Sequence, residues 1–439
     1  MAAQLQTEIV PNAPLVPPTV LTPAAHKQAK PKKKLVRRTD KDYSQALRRS
    51  YQLGFLLLNV FLGSVFYLWV RHYETGMQTR VVARPAGVEG WLPIAGLMNL
   101  KYLLVTGHVP AVHPAAMFLL ITFLAMAFLF RKAFCGWLCP IGTFSEYLWL
   151  AGRKLFGKNF QLPRWLDIPL RGLKYLLLAF FMWAVSSMSA SAIAAFMRSP
   201  YGIIADVKML NFFRNIGQTG LIVLGILVIA SVFVQNFWCR YLCPYGALLG
   251  LASFFSPLRI RRNEATCIDC EKCAKACPAW LPVDRLASIK SAECTGCLEC
   301  VAVCPAKGAL QMALPSLSQL LYLRGNVIST EAFPSASGRE CGVERPGVSQ
   351  DLRSLANHNE RSQFGASAHE SSSSRAVSSR QIPAWAMAAG IAVLFFGIVG
   401  FAKSAGYWNT DLPRSIYLEL VPNPDQASHP MPGDPALKR

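Results

Sequence analysis

Polar and apolar positions alternate in long blocks along this chain, not in the short periods of a soluble fold. Tyr51 to Val70 is an apolar run of about twenty residues, the length a helix needs to cross a bilayer. Comparable runs occupy Val109 to Phe130, Leu173 to Met197, Gly220 to Trp238 and Ala384 to Ala402. Five membrane-crossing helices are therefore expected. Between the first two runs lies RPAGVEGWLPIAGLMNLKY, apolar yet broken by Pro85, Gly87, Gly90, Pro93 and Gly96. Those breakers predict a re-entrant or interfacial segment and not another clean span. The remaining blocks are polar. Residues 1–50 are Pro-rich and then basic and read as a disordered tail. Residues 316–383 are Ser-rich and read as a disordered linker, in which Cys341 stands alone as a reduced thiol. The fifth helix, 384–402, leads to a short tail at 403–439.

Composition sharpens the membrane reading. Hydrophobic residues make up 52% of the chain, and a mean hydropathy of +0.29 is too high for an ordinary soluble enzyme. The chain is also basic, with 45 Lys and Arg against 24 Asp and Glu. Such charge can serve nucleic acid, but no nucleic-acid fold signature accompanies it, and it sits beside the apolar runs. Ten Lys and Arg precede residue 51, against three in the 198–219 loop. By the positive-inside bias this places the N-terminus and residues 239–383 in the cytoplasm, and the C-terminus outside a bacterial inner membrane. The basic tail is also suited to touch anionic lipid.

The strongest chemical signal lies between the fourth and fifth runs. CIDCEKCAKACP and CTGCLECVAVCP each read C-x2-C-x2-C-x3-C-P, the spacing of a bacterial two-cluster ferredoxin. Three thiolates on one tight loop can cap three irons of a cubane, and the fourth cysteine serves the other cluster. Cys267, Cys270, Cys273 and Cys304 are then expected to hold one 4Fe-4S cluster, and Cys294, Cys297, Cys300 and Cys277 the second. Pro278 and Pro305 end the loops without an N–H in need of a partner. Zinc sites use paired C-x2-C units, and disulfide frameworks belong to short secreted chains; neither matches. The expected fold is an α-helical polytopic membrane protein with a four-span domain at 51–257, followed by a small α+β ferredoxin domain at 258–315.

A second set of cysteines is duplicated. FCGWLCPIG and WCRYLCPYG close the second and fourth runs, with Cys135 and Cys239 at matching places. The spacing of four puts Cys135 and Cys139, and likewise Cys239 and Cys243, on one face of a helix, about 6 Å apart along its axis. Pro140 and Pro244 can end or kink that helix. Three readings stay open: one further metal or Fe–S centre shared by all four, two dithiol pairs or a metal relay, or plain packing. Internal repeats often place a shared site between their halves. Glu89 and Lys101 are charges in the apolar outer segment and are candidates to line a quinone or partner site. There is no C-x-x-C-H for covalent haem and no dinucleotide or phosphate-loop motif. None of the seven histidines lies mid-run.

These residues resemble the NapH/NosR-type membrane polyferredoxins. The resemblance covers residues 51–314 and rests on FCGWLCPIG, WCRYLCPYG, the two cluster motifs and RPAGVEGWLPIAGLMNLKY. It implies membrane electron transfer, between quinol or a cytoplasmic donor and a redox partner on the periplasmic side, by a carrier or quinol dehydrogenase component. A rival class is a redox-sensing regulator or an accessory protein of metalloenzyme assembly. Members of the NosR type carry a flavin domain ahead of their spans, and the NapH type ends soon after its clusters. The sequence reads as lacking that flavin domain and as continuing past its clusters into a linker and fifth run, so the family is better marked than any one pathway.

Overall fold

The computed structural model describes residues 35–39, 41–314 and 381–430. The expected basic tail up to residue 34, the linker at 315–380 with Cys341, and residues 431–439 lie outside the described residues.

The first helix, α1 (Ser44–Glu74), begins inside the stretch expected to be disordered. Its first turns are anchored. Arg48 meets both oxygens of Glu146 at 2.8 and 2.6 Å, and Gln52 donates to the Gly136 carbonyl. Further along, Leu57 and Phe61 stay exposed, which suits hydrocarbon and not water.

A 3-10 turn (Ala86–Trp91) and α2 (Pro93–Thr106) form the interrupted segment. Pro93 starts α2 and Gly107, left-handed at φ 72°, ends it. At 14 residues, α2 is about 21 Å long, well short of a bilayer core.

The second expected span forms α3 (Pro114–Phe130). It is apolar all round and buried on nearly every side, as a central helix should be. It packs against α2, the 3-10 turn, and the later helices α10 and α13.

Next come α4 (Pro140–Phe156) and α5 (Arg164–Ser187). The third run was expected to continue to Met197, but the helix breaks at Met188 and restarts as α6 (Ala190–Arg198), with Ser189 as its N-cap. The short α7 (Pro200–Ile203) and α8 (Ala205–Arg214) lead to α9 (Gln218–Phe233), bent 81° from α8. α10 (Pro244–Phe254) mirrors α4.

The ferredoxin region is framed by β1 (Arg259–Arg262) and β2 (Leu310–Ala313), paired antiparallel with Arg259 opposite Ala313. The short helices α11 (Lys272–Ala276) and α12 (Glu299–Ala302) follow the two cysteine loops. α13 (Ala384–Ser404) is the last long helix, and α14 (Arg414–Leu420) packs its Tyr417 on Trp69 and Tyr73 of α1.

By length and composition, three helices among the described residues can cross a membrane: α1, Trp165–Ser187 of α5, and α13; the bent α8–α9 pair makes a fourth. The expectation of five counted α3, which has 17 residues and is enclosed by its neighbours. The main core is continuous from Met117 and Met126 of α3 into Leu258, Ile260, Val283 and Met312 of the ferredoxin region. The ferredoxin region is thus packed against the helical part and shares its interior.

Candidate functional site

The two ferredoxin loops repeat one backbone pattern. In each, the residues on either side of the second cysteine have positive φ: Asp269 and Glu271 at 54° and 58°, Gly296 and Leu298 at 63° and 59°. Alternating left- and right-handed residues turn successive N–H groups into an anion-binding concavity, a conformation common at Fe–S sites.

Two cavities lie against these loops. Cys267, Cys270, Cys273 and Cys304 line the first; Cys277, Cys294, Cys297 and Cys300 line the second. Each quartet draws three cysteines from one loop and the last from the other, the grouping expected from spacing. Among the described residues, no three His, Cys, Asp or Glu side chains stand close enough to share a single metal ion. A cubane offers a separate iron to each thiolate, so quartets arranged around cavities suit it. Burial pushes the Cys273 thiol up to about 11 and that of Cys297 up to about 12. Thiols held this way ionise when a cation displaces the proton.

The duplicated motif has a different local form from the one expected. Residues Phe134–Leu138 and Trp238–Leu242 each make one π turn. The N–H of Cys139 donates to Phe134 O at 2.9 Å and that of Cys243 to Trp238 O at 3.0 Å. A regular α-helix would not place the sulfurs this way, because Cys139 and Cys243 already have extended backbone. They serve as N-caps of α4 and α10: each Sγ accepts an N–H, from Gly142 at 3.4 Å and from Gly246 at 3.2 Å. Pro140 and Pro244 occupy the first helical position, where no N–H is needed. A helix N-terminus favours negative sulfur, and π turns recur at functional sites.

All four motif cysteines line one cavity of about 990 Å³. It runs along α3, past Leu119 and Phe123, to Arg84, Gly90 and Trp91 near the other end of that helix. Phe55, Leu58, Phe395 and Val399 supply apolar wall, and Lys132 and Arg240 are charged residues at the cysteine end.

The middle residues of the motifs grip the ferredoxin region. Trp137 Nε1–H donates to Gly296 O at 3.1 Å, and a Cβ on Gly136 would stand 2.9 Å from Thr295 O, so only glycine lets the loop approach. In the other copy, Arg240 donates to Ala279 O at 3.1 Å and lies 4.3 Å from the Trp280 ring centroid. One motif therefore holds the loop of Cys294, Cys297 and Cys300, and the other holds the segment after Cys277. Lys132 and Lys174 reach Glu293 at 3.9 and 2.5 Å. Burial pushes the Glu293 carboxyl up, but the two lysines outweigh this and hold it below the usual carboxylate range.

Glu89 and Lys101, read together from sequence, are not together in the structure. Glu89 is wholly buried and meets Arg84 at 2.9 Å, His113 Nδ1 at 3.2 Å and the Thr410 hydroxyl at 3.1 Å. Arg84 in turn pairs with Asp206 at 2.6 Å. Lys101 donates to the carbonyls of Val185, Ser186 and Met188 and so caps the end of α5. Sequence reading passed over Arg84, Lys132 and Arg240, whose roles depend on partners far along the chain.

Comparison with known proteins agrees with this site. A family described as "4Fe-4S binding domain" matches residues 112–159 and 216–263, the two halves of the repeat. One described as "4Fe-4S dicluster domain" matches residues 260–312. The chain is 43% identical to the putative electron transport protein YccM of Escherichia coli over 87% of its length and 91% of that protein. It is 26% identical to the ferredoxin-type protein NapH of Escherichia coli over 53% of the chain and 74% of NapH. Regulatory protein NosR of Pseudomonas aeruginosa is 33% identical over 37% of the chain, which spans 22% of NosR. No solved structure matches. With its duplicated cysteine motif, its paired ferredoxin loops and these relatives, the chain belongs to the NapH/NosR-type iron–sulfur membrane proteins that include YccM, and it is an iron–sulfur electron-transfer protein of the membrane.

Proposed function

We propose that this protein accepts electrons from quinol, or from a donor at its ferredoxin end, and delivers them to a redox partner across the membrane. The observation that carries the reading is the large cavity. All four motif cysteines line it, apolar side chains wall it, and Cys297, Thr295, Pro278 and Ala279 border both it and the second ferredoxin cavity. A lipid-soluble two-electron donor suits such a space, because its ring and tail need apolar walls and its hydroxyls need a few polar groups. Asn59, Trp91 and Arg84 are among the polar groups that line it, at the end away from the cysteines.

In this reading Cys267, Cys270, Cys273 and Cys304 hold one 4Fe-4S cluster and Cys294, Cys297, Cys300 and Cys277 the other. Cys135, Cys139, Cys239 and Cys243 together hold a further centre. When bound, such clusters supply one-electron steps. The chain's own work is to keep the thiolates fixed on π turns and left-handed loops, and to press the second quartet against the motif cysteines. It also walls the donor from water. The Lys and Arg asymmetry supports a cytoplasmic ferredoxin region in the bacterial inner membrane.

Anaerobic protein in liposomes tests this. Reduced short-chain quinone should bleach the Fe–S absorbance of the native protein, and Cys139→Ser with Cys243→Ser should abolish the bleaching. Clusters reducible by dithionite but untouched by any quinol would refute the quinol donor.

A further inference from the structure

We propose that Lys132 is a positioning residue that sets the electrical environment of the four motif cysteines. This rests on the reading that those cysteines share one centre. Sequence alone makes Arg131 and Lys132 ordinary boundary charges at the end of an apolar run. The structure buries both, at 0% and 4% exposed.

The backbone is bent to achieve it. Arg131 ends α3 at φ 64°, ψ −164°, a strained region normally open to glycine alone. Three hydrogen bonds hold it there: Arg131 N–H to Ser256 Oγ at 3.2 Å, and its guanidinium to Ser253 O at 3.1 Å and Ser291 O at 2.6 Å. The break turns Lys132 inward, onto the wall of the cavity that Cys135, Cys139, Cys239 and Cys243 also line.

Charge counting gives the bend a purpose. Lys132 and the fully buried Lys174 converge on a single carboxylate, Glu293. The neighbouring carboxylate, Asp167, is already met by Arg171 and by Arg240. Two ammoniums on one carboxylate leave a unit of positive charge inside the protein, and buried charge persists only when compensated. The motif cysteines supply the compensation once they are thiolates around an iron–sulfur centre, which is anionic and becomes more so on reduction. A fixed cation beside it favours the reduced form, since net charge nearby is one of the determinants of such potentials.

The test is a redox titration of the intact protein in lipid, following each centre's spectrum and midpoint potential. Lys132→Met should move the motif centre to more negative potential while the iron of the two ferredoxin clusters is retained. Lys132→Arg should restore the native value. Glu293→Gln, which removes the opposing negative charge, should move it the other way. An unmoved midpoint in Lys132→Met overturns the inference. If that variant loses iron, Glu293→Gln decides: a rise supports the role, and no movement overturns it. Native protein with eight irons and no signal beyond two clusters would overturn the shared-centre reading, and this inference with it.

Discussion

Gly142 and Gly246 occupy the same place in the two motifs, yet their surroundings differ. A Cβ on Gly142 would stand 2.5 Å from the Cys135 carbonyl oxygen, whereas on Gly246 its nearest neighbour would be Cys243 Sγ at 3.5 Å. The first is a collision with backbone and the second an ordinary contact. Gly142→Ala should therefore destabilise by about 1–3 kcal/mol, the usual range for forced overpacking, with loss of bound iron. Gly246→Ala should keep both iron and melting temperature. Melting curves and iron assays on the two variants check the contrast. Glu89 and Lys101 separate in the same way. Glu89→Gln removes one partner of a buried pair, which costs on the order of 3 kcal/mol, the low end of the range because Asp206 still holds Arg84. Lys101→Met loses bonds to three terminal carbonyls of α5 and should cost about 1 kcal/mol. Equal losses in thermal unfolding would contradict this division of roles.

At the scale of elements, what was legible followed from local rules. Ferredoxin spacing is dictated by how far one loop can reach, so the grouping of Cys304 with Cys267, and of Cys277 with Cys294, could be expected before any coordinates. The apolar runs located α1, α9 and α13, because about twenty apolar residues in a row have few other uses. Interruptions were harder to read. In Leu173–Met197 the break at Met188 is marked only by the serines around it, of which Ser189 caps the next helix. It is stabilised by Lys101 from a separate helix. The π turns were also hidden: C-x3-C reads as one helical face, and only the extended backbone at Cys139 and Cys243 converts it to a cap. Arg131 and Lys132 gave no sign of burial in sequence because their partners, Ser291 and Glu293, lie some 160 residues later. Buried charge is recognisable in sequence only when both partners are near.

At the scale of the whole molecule, the decisive feature is that the membrane helices and the ferredoxin region share one core. The two motifs are each docked on one of the two segments that supply the second quartet, through Trp137 to Gly296 and Arg240 to Ala279. The first quartet lies elsewhere: its cavity has no wall in common with the large one, and Cys270 is exposed. If electrons pass between the large cavity and an external protein at the ferredoxin end, the second cluster must come first in line and the first cluster must face that protein. Two variants separate this order from its reverse. Cys277→Ser should weaken the second cluster, leave the first cluster's spectrum in dithionite-reduced protein, and stop quinol from reducing it. Cys267→Ser should weaken the first cluster, yet quinol should still reduce the second. Reduction of the first cluster by quinol in Cys277→Ser protein, at the native rate, would show that electrons reach it by another path and that the docking of the motifs on the second quartet has a structural role alone.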